Sequence, residues 1–302
     1  MSISLAAFFL MVLIEILIKG GSSLNLIAKI KQVRLSAIFA VYLFTLTFIL
    51  CGCKNAFLFY PYKYLVATPA EIGLAYEDVS FTTDDKIDLK GWWVPAKGTR
   101  GTVLFCHGNG GNISFLLDTI RIFHSLDLAV LVFDYRGYGA SAGTPTEEGT
   151  YLDARAAWRY LLNIKKITPD KIILIGRSLG GSIAAWLCQE CRPRVLVLES
   201  TFTKAADVAD YHYLVSPGKL VFGNTYNTEE YITRIACPVY IVHSPDDEII
   251  PYEQGRRLYQ LARFPKEFLT IRGSHNTGFL DSREEYINGL HGFLVKYFSK
   301  PL

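Results

Sequence analysis

The sequence has little sulphur and little charge. Its 302 residues include only 2 Met and 6 Cys, and charged residues make up 20% of the chain. The 31 Lys and Arg residues nearly balance the 28 Asp and Glu residues, and no basic stripe is interleaved with aromatic residues. A nucleic-acid partner is therefore not expected. Internal repeats and low-complexity tracts are absent too.

Patterns for binding metals and nucleotides are also missing. Cys188 and Cys191 form a C-x-x-C in a predicted helix, but there is no second pair and no nearby His. This favours core packing over a zinc or redox site. The glycine-rich stretch 107–112 does not match G-x-G-x-x-G and lacks the Gly-Lys-Ser/Thr ending of a P-loop. We expect neither a metal nor a cofactor.

Apolar residues are concentrated at the start of the chain. Residues 3–18 are almost wholly apolar, broken by Glu15, and residues 36–50 are apolar without a charge. Each run is shorter than the ~20 residues of an ideal spanning helix. Basic residues between the runs mark a cytoplasmic side, so the rest of the chain should lie on the non-cytoplasmic side. We predict that residues 1–53 form a membrane anchor or signal region.

The second apolar run ends in a cysteine-containing sequence. Leu50-Cys51-Gly52-Cys53 resembles the lipobox of bacterial lipoproteins, in which the last cysteine receives a lipid after cleavage. Cys51 is unusual at its place, and such signals normally start the chain. Lipoprotein anchoring at Cys53 and a plain membrane anchor both stay open at this point.

We predict one catalytic domain over residues 54–302, in which short apolar runs alternate with longer helical stretches from about Ala75 onward. Tyr76 to Phe81 and Ile87 to Pro95 predict an antiparallel hairpin. Six further runs are apolar on both faces, which is typical of parallel strands covered by helices: 102–106, 129–133, 171–175, 195–198, 238–242 and 267–271. Crossover helices are predicted at 113–126, 146–164, 180–191, 252–263 and 283–298. The alternation predicts a mostly parallel, doubly wound α/β sheet.

Two features of this fold bear on function. Ligands of doubly wound sheets meet the loops at the carboxyl ends of the strands, so the chemistry should follow the apolar runs. Residues 203–236 hold no predicted strand and are rich in aromatic residues. We predict that they form a short cap over the strand ends.

One motif points to a nucleophile. Gly176-Arg177-Ser178-Leu179-Gly180 matches G-x-S-x-G between a predicted strand and a predicted helix, which is the context that the motif requires. The turn is so sharp that side chains two residues before and after the serine would collide. Its strained backbone lifts the hydroxyl out of the sheet. We predict Ser178 as the nucleophile; the alternative is a glycine-rich turn with a serine cap.

A serine hydroxyl needs a neighbouring base and an acid that orients it. His275 lies directly after the last predicted strand, and we predict it as the base. His107 and His243 also end strands, where a role in holding loops is expected. The acid should come from the loop after the preceding strand, or from another strand end. Our order of preference is Asp247, then Asp246, then Glu199.

An oxyanion that develops during acyl transfer needs backbone N–H donors. Leu179 follows the nucleophile at a helix start and is the first expected donor. The second should come from the glycine-rich stretch 107–112, whose backbone can approach a substrate closely. Asn109 is our choice there.

Three strings in the chain carry a family resemblance. They are His107-Gly-Asn-Gly-Gly-Asn112, Phe133-Asp-Tyr-Arg-Gly-Tyr-Gly139 and Gly176-Arg-Ser-Leu-Gly-Gly181. From about residue 75 to 300 the chain resembles the α/β-hydrolase superfamily, in the branch of serine aminopeptidase-like hydrolases and membrane-associated protein depalmitoylases. The resemblance implies an acid at Asp247 and a base at His275, although Ser244 and Ser274 depart from its usual pattern. It also implies ester, thioester or amide hydrolysis through an acyl-enzyme.

Together these features predict a serine hydrolase that cleaves an ester or thioester. A serine peptidase or amidase is the alternative, and Glu199 could then hold a substrate amine. A non-catalytic binding module on the same fold is a further alternative. The aromatic cap and the predicted anchor favour a small-molecule or lipid-like acyl substrate, or a lipidated protein. Asp134, Arg136 and Tyr138 are expected to pin their loop.

Overall fold

The structure, a computed structural model, describes residues 58–98, 100–212 and 218–298, together with the single positions 32, 35, 36, 38 and 55. The chain divides after Cys53 into two units, and the second is Lys54–Leu302. Apart from four single positions, the predicted anchor or signal region lies outside the described residues, and so does Cys53. Among the described residues, none belongs to a helix that is both long and apolar enough to cross a bilayer.

An eight-stranded sheet lies at the centre of the second unit. The strands described are β1 (Tyr60–Pro61), β2 (Glu77–Thr82), β3 (Asp88–Val94), β4 (Gly101–Cys106), β5 (Gly110–Gly111), β6 (Leu128–Phe133), β7 (Ile172–Arg177), β8 (Val195–Glu199), β9 (Val239–His243) and β10 (Lys266–Thr270). The sheet order is β10-β9-β8-β7-β4-β6-β3-β2, while β1 and β5 form a separate pair. The β2–β3 and β3–β6 pairs are antiparallel, and the other neighbours are parallel. The predicted hairpin and the six predicted parallel strands are confirmed.

Helices fill the connections. They are α1 (Leu117–Ser125), α2 (Glu147–Asn163), α3 (Leu179–Glu190), α4 (Ala205–His212), α5 (Gly218–Val221), α6 (Thr228–Ile232), α7 (Tyr252–Leu261), α8 (Gly278–Asp281) and α9 (Arg283–Phe298). The helix predicted over 113–126 is divided. The Asn112 side chain accepts a hydrogen bond from the Ser114 N–H and caps a separate 3-10 turn, Ile113–Phe115, before α1 begins. An Asx cap of this kind competes with a continuous helix.

The two faces of the sheet are covered by different helices. Alternate strand residues face opposite sides, so Leu104 belongs to one apolar cluster and Phe105 to the other. Leu161 of α2 and Ile183 of α3 lie in the first cluster. Phe293 of α9 lies in the second, together with residues of α1. Each such side chain contributes about 1.5–3 kcal/mol when it is fully buried. Burial on both faces explains why the parallel strands lack an alternating polar pattern.

The strand order places two loops side by side. The chain passes from β4 to β6 on one side and then returns across β4 to β7 on the other. This reversal is a topological switch point, where ligands bind in doubly wound sheets. Cys106 at the end of β4 is paired with Gly176 near the end of β7. The glycine-rich stretch after β4 and the Ser178 turn after β7 therefore leave the same edge of the sheet.

The predicted cap consists of short helices, α4 to α6, between β8 and β9. Two of its described aromatic residues, Tyr226 and Tyr231, point inward, whereas Tyr211 is exposed. Tyr226 is fully buried, and its hydroxyl lies 2.8 Å from Thr150 Oγ1. The Tyr231 hydroxyl lies 3.0 Å from the hydroxyl of Tyr151 in α2. These rings fasten the cap to the helical layer below it.

Candidate active site

Ser178 occupies a strained turn between β7 and α3. Its φ is 55° and its ψ is −121°, a conformation that non-glycine residues rarely adopt. The flanking glycines make the turn possible. A Cβ on Gly176 would lie 2.2 Å from the carbonyl oxygen of Gly180, and one on Gly180 would lie 2.0 Å from the carbonyl oxygen of Cys106. The collision predicted within the turn is therefore confirmed for Gly176, whereas Gly180 is constrained by the neighbouring strand β4.

Three side chains from distant loops meet in series. His275 Nε2 lies 3.0 Å from Ser178 Oγ, and His275 Nδ1 lies 2.8 Å from Asp247 Oδ2. When Nδ1 carries the proton, it donates to the carboxylate and leaves the Nε2 lone pair to accept from the serine hydroxyl. His275 and Asp247 are both buried. The structure thus brings together all three residues of the predicted relay, from the loops after β7, β9 and β10.

The Asp247 carboxylate is held on both oxygens. Oδ1 accepts hydrogen bonds from the N–H groups of Ile249 (3.0 Å) and Ile250 (2.8 Å). Oδ2 faces His275 and lies 3.4 Å from Nε2 of His243. Burial by itself raises the pKa of Asp247, but the contacts with His243, His275 and Ile250 outweigh it and hold this pKa well below its usual value. Asp247 is therefore ionised and acts as an acceptor toward His275.

The two lower-ranked acids lie elsewhere. Asp246 is exposed, and its Oδ2 accepts a hydrogen bond from the Gly273 N–H at 3.2 Å. Glu199 is buried, and it accepts from Arg177 Nε at 2.9 Å and from the Tyr286 hydroxyl. Among the described contacts, neither carboxylate is bonded to the His275 ring. The structure corrects the second and third choices, because one side chain points to solvent and the other is already ion-paired.

The glycine-rich loop after β4 is held by its carbonyl groups. The Tyr135 hydroxyl donates to the His107 carbonyl at 3.0 Å. His107 Nδ1 lies 2.7 Å from the Gly108 carbonyl, and the Tyr138 hydroxyl donates to the Asn109 carbonyl at 2.8 Å. In a planar trans peptide the N–H points opposite to the C=O. Fixing these carbonyls therefore fixes the direction of the N–H groups that follow them, including that of Asn109.

This loop touches the nucleophile. A Cβ on Gly108 would lie 3.5 Å from the Cβ of Ser178, so the two backbones are in close approach. The N–H of Leu179 opens α3, where the first N–H groups have no intrahelical acceptor and the helix dipole is positive. Of the two expected oxyanion donors, Leu179 directly follows Ser178, and Asn109 directly follows Gly108, the residue that approaches Ser178. Their role as donors stays a prediction.

Burial controls the charges behind the loop. It lowers the pKa of His107 to about 4, so this imidazole is neutral near pH 7. It also raises the pKa of Asp134 to about 7, although the Ile113 N–H donates to the carboxylate at 2.9 Å. His107 Nε2 lies 3.9 Å from Asp134 Oδ1. A neutral His107 donates from Nδ1 to Gly108 without placing a charge beneath the site.

Comparison with known proteins identifies the family. Residues 97–227 match the family described as serine aminopeptidase, S33. The α/β hydrolase domain-containing protein WAV2 of Arabidopsis thaliana is 33% identical over 252 residues, which cover 76% of this chain and 82% of that protein. Protein bem46 of Schizosaccharomyces pombe is 32% identical over 211 residues, covering 67% and 71%. The chain belongs to the α/β-hydrolase superfamily.

A solved structure has the same fold. The Pyrococcus furiosus esterase Pf2001 superposes with a TM-score of 0.68 and covers 80% of this chain and 99% of its own, at 22% identity. The predicted fold class, a mostly parallel doubly wound sheet with a short cap, is confirmed for this α/β hydrolase. Its membership of a hydrolase superfamily supports an enzymatic role.

In this α/β hydrolase the string 133–139 has the loop-pinning role expected of it. Arg136 is ion-paired with buried Asp153 at 2.8 Å and with Asp85 at 2.7 Å. The contribution of Tyr135 was not predicted. A signal for this role was present in the sequence: Tyr135 and Tyr138 both lie in the loop after β6, the strand that pairs with β4. Hydroxyl groups are suitable donors for the carbonyls of a glycine loop.

Metal-binding groups do not cluster in the part of the α/β hydrolase that the structure describes. Cys188 Sγ lies 3.5 Å from Cys237 Sγ, and Cys191 is half-buried. These cysteines are free thiols, and Cys188 lies in an apolar cluster between α3 and the start of β9.

Proposed function

We propose that this α/β hydrolase is a serine hydrolase that cleaves an ester or thioester bond through an acyl-enzyme intermediate. The observation that carries the proposal is the continuous hydrogen-bonded series Ser178–His275–Asp247, with contacts of 3.0 and 2.8 Å. A serine hydroxyl becomes nucleophilic when a neighbouring base can take its proton. No other feature of the described residues combines a strained serine with such a base.

In the first half of the reaction, His275 Nε2 takes the proton from Ser178 as Oγ attacks the acyl carbon. Asp247 stabilises the imidazolium that forms. The N–H groups of Leu179 and Asn109 would hold the oxyanion, and His275 then protonates the leaving alcohol or thiol. In the second half, a water molecule gives its proton to His275, attacks the acyl carbon and releases the acid. Ser178 recovers its proton from His275.

A small acyl compound is the substrate class that we propose. The superposable Pyrococcus furiosus protein is an esterase, as its name states. A lipid-like acyl chain or a lipidated protein is the narrower proposal, and it rests on the apolar sequence of residues 1–53. We retain the proposal that these residues anchor the chain, with the catalytic unit on the non-cytoplasmic side. Mass spectrometry of the mature N-terminus would reveal cleavage or lipid at Cys53.

A peptidase or amidase is the second candidate. It is favoured by the family match, whose description names a serine aminopeptidase. An aminopeptidase needs an anion that binds the substrate amine, and Glu199 was the candidate. That carboxylate is already paired with Arg177 and Tyr286 inside the fold. We therefore expect higher kcat/KM on p-nitrophenyl acyl esters than on aminoacyl p-nitroanilides, and the reverse order would favour the peptidase.

Labelling with a fluorophosphonate tests whether Ser178 is an activated nucleophile, which both the esterase and the peptidase proposals require. This probe traps an activated serine, so the wild-type chain should be labelled and Ser178→Ala should not. Ser274→Ala is the matched control, because Ser274 lies one residue from His275 and is bonded to Thr277 instead of the relay. It should be labelled like the wild type. A folded wild-type chain that resists the probe would favour a non-catalytic binding module.

A further inference from the structure

A group of exposed apolar side chains lies beside the candidate active site. Ten large apolar or aromatic side chains are exposed within the described parts of residues 58–298, and four of them are far apart in the sequence: Ile164, Tyr211, Phe264 and Val295. The other six form what we call the tyrosine surface: Tyr60, Tyr62, Tyr64, Leu65, Val66 and Phe115. Scattered single apolar residues are normal on a soluble domain, whereas a contiguous group indicates an interaction site.

The rings of the tyrosine surface are mutually packed. Tyr62 lies edge-on to both Tyr64 and Phe115, with ring centroids 6.0 Å apart in each case. Tyr64 is nevertheless 74% exposed and Phe115 58% exposed. The contacts orient the rings without burying them, so each keeps an apolar face and, in the tyrosines, a polar tip toward solvent. Such amphipathic rings are enriched at the boundary between lipid and water.

The backbone beneath the surface is firmly held. Asn112 Nδ2 donates to the carbonyls of Tyr62 (2.9 Å) and Tyr64 (2.8 Å). The Ser114 hydroxyl oxygen accepts from the N–H of Val66 at 3.0 Å. The carbonyls of Tyr62 and Tyr64 and the N–H of Val66 are thus paired within the protein, and these three groups need no water molecule as a partner. Pairing these groups lowers the cost of bringing this part of the backbone next to an apolar phase.

The surface is joined to the loop that touches Ser178. Tyr60 and Pro61 pair in parallel with Gly110 and Gly111, and the Tyr60 N–H donates to Asn109 Oδ1 at 3.2 Å. Only Asn109 separates this pairing from Gly108, which approaches Ser178. Whatever covers the tyrosine surface therefore lies at the carboxyl edge of the sheet, next to the nucleophile.

The sequence on the N-terminal side indicates what the surface meets. Tyr60 is seven residues after Cys53, a reach of at most about 25 Å for an extended chain. Two apolar runs, 3–18 and 36–50, precede it. The surface carries one exposed cation, Lys63, and residues 60–66 contain no acidic side chain. Lysine and tyrosine together suit the layer of lipid phosphates and glycerol esters.

We propose that the tyrosine surface rests on the interfacial layer of a lipid bilayer, with the glycine-rich loop turned toward that bilayer. The proposal concerns orientation and does not depend on the reaction that Ser178 carries out. It predicts that Tyr64 and Phe115 lie within the upper acyl region. A residue at the opposite, amino edge of the sheet should lie in water.

The test uses the full-length chain, one copy per phosphatidylcholine nanodisc, with lipids brominated in the upper part of the acyl chains. Bromine quenches tryptophan only at close range. Tyr64→Trp and Phe115→Trp report on the surface. Phe264→Trp is the matched control, because Phe264 is 82% exposed and precedes β10, at the amino edge. Three of the four native tryptophans are buried and the fourth is partly buried, so the wild type gives the background.

We expect the fluorescence added at positions 64 and 115 to fall about twofold, because an interfacial ring lies ~5–10 Å into the headgroup and acyl boundary. The fluorescence added at position 264 should not change. Equal quenching at all three positions, or none, would overturn the proposal, and so would a chain that does not bind the discs. A blue-shifted but unquenched signal at position 64 would assign the surface to residues 1–53 or to a substrate chain instead, which also overturns it.

Discussion

His107 Nδ1 lies 2.7 Å from the carbonyl oxygen of Gly108, its immediate neighbour in the chain. The imidazole thereby restrains the peptide whose N–H belongs to Asn109. Burial keeps His107 neutral near pH 7 by lowering its pKa to about 4. A histidine outside the Ser178 relay thus shapes the backbone that would face the oxyanion.

Replacing His107 should reduce turnover without weakening substrate binding. His107→Ala removes the donor to Gly108, so the Asn109 N–H loses its fixed direction. Because the oxyanion is absent from the bound ester and develops on the way to the tetrahedral intermediate, we expect kcat on a p-nitrophenyl ester to fall about 10- to 100-fold with KM nearly unchanged. His107→Asn, whose amide can donate, should recover part of the rate. A rise in KM at constant kcat would contradict this role.

Two adjacent carboxylates should differ sharply in their effect on catalysis. Asp247→Asn removes the acceptor that fixes the His275 tautomer, and we expect kcat/KM to fall about 10³- to 10⁴-fold. Asp246→Asn alters only an exposed contact with Gly273, so its activity should stay within about threefold of the wild type. Comparable losses in the two variants would show that the assignment of the acid is wrong.

Acid should destabilise the protein partly through Asp247. Its folded-state pKa is held below the unfolded value, so below about pH 4 the unfolded chain binds more protons than the folded one. The stability that this group contributes is present above that pH and is lost as the pH falls further. Urea unfolding at a series of acidic pH values should show a shallower decline for Asp247→Asn than for the wild type. Identical slopes would mean that the His243 and His275 contacts do not depress this pKa.

The glycines before and after Ser178 should tolerate no side chain. In Gly176→Ala the new Cβ would meet the Gly180 carbonyl oxygen at 2.2 Å, and backbone atoms cannot move aside cheaply. We expect a loss of about 3 kcal/mol in the free energy of unfolding, or an insoluble chain. Gly110→Ala is the control, because no heavy atom lies within 4 Å of its Cβ position. A change of similar size in both variants would contradict the steric explanation.

Much of the fold was predictable because its signals are local. Strands such as Leu128–Phe133 are buried on both faces, so they lack alternation and are recognisable as continuous apolar runs. The 3-10 turn at Ile113–Phe115 was missed, since it depends on the Asn112 side chain accepting from the backbone instead of leaving the helix continuous. The pair of short strands β1 and β5 was missed as well, because two residues carry no periodic signal.

The nucleophile of the site was predictable from the local sequence, whereas the contacts between distant strands and loops were not. Ser178 lies in a strand–turn–helix with the G-x-S-x-G sequence, and the clash that excludes a side chain at Gly176 is with Gly180 in the same turn, so the sequence is diagnostic. The clash that excludes a side chain at Gly180 is with Cys106 of β4, which the local sequence does not show. Glu199 was a reasonable acid candidate because it ends β8 near the same edge. Its ion pair with Arg177 is formed between neighbouring strands and could not be inferred from either strand alone. The hydroxyls of Tyr135 and Tyr138 act on a loop about thirty residues away, through contacts that only the β4–β6 pairing creates.

The amino-acid sequence alone determined the layered α/β architecture, the glycine-flanked serine and the edge of the sheet where chemistry should occur. Hydrophobic periodicity and the steric limits inside a tight turn act between residues close in the chain, so a short stretch of sequence is enough to predict them. Tertiary structure decided which of two adjacent aspartates meets His275, which histidine orients the glycine-rich loop, and where the tyrosines are exposed. Those outcomes depend on strand register and on the few ångströms that separate groups far apart in the chain.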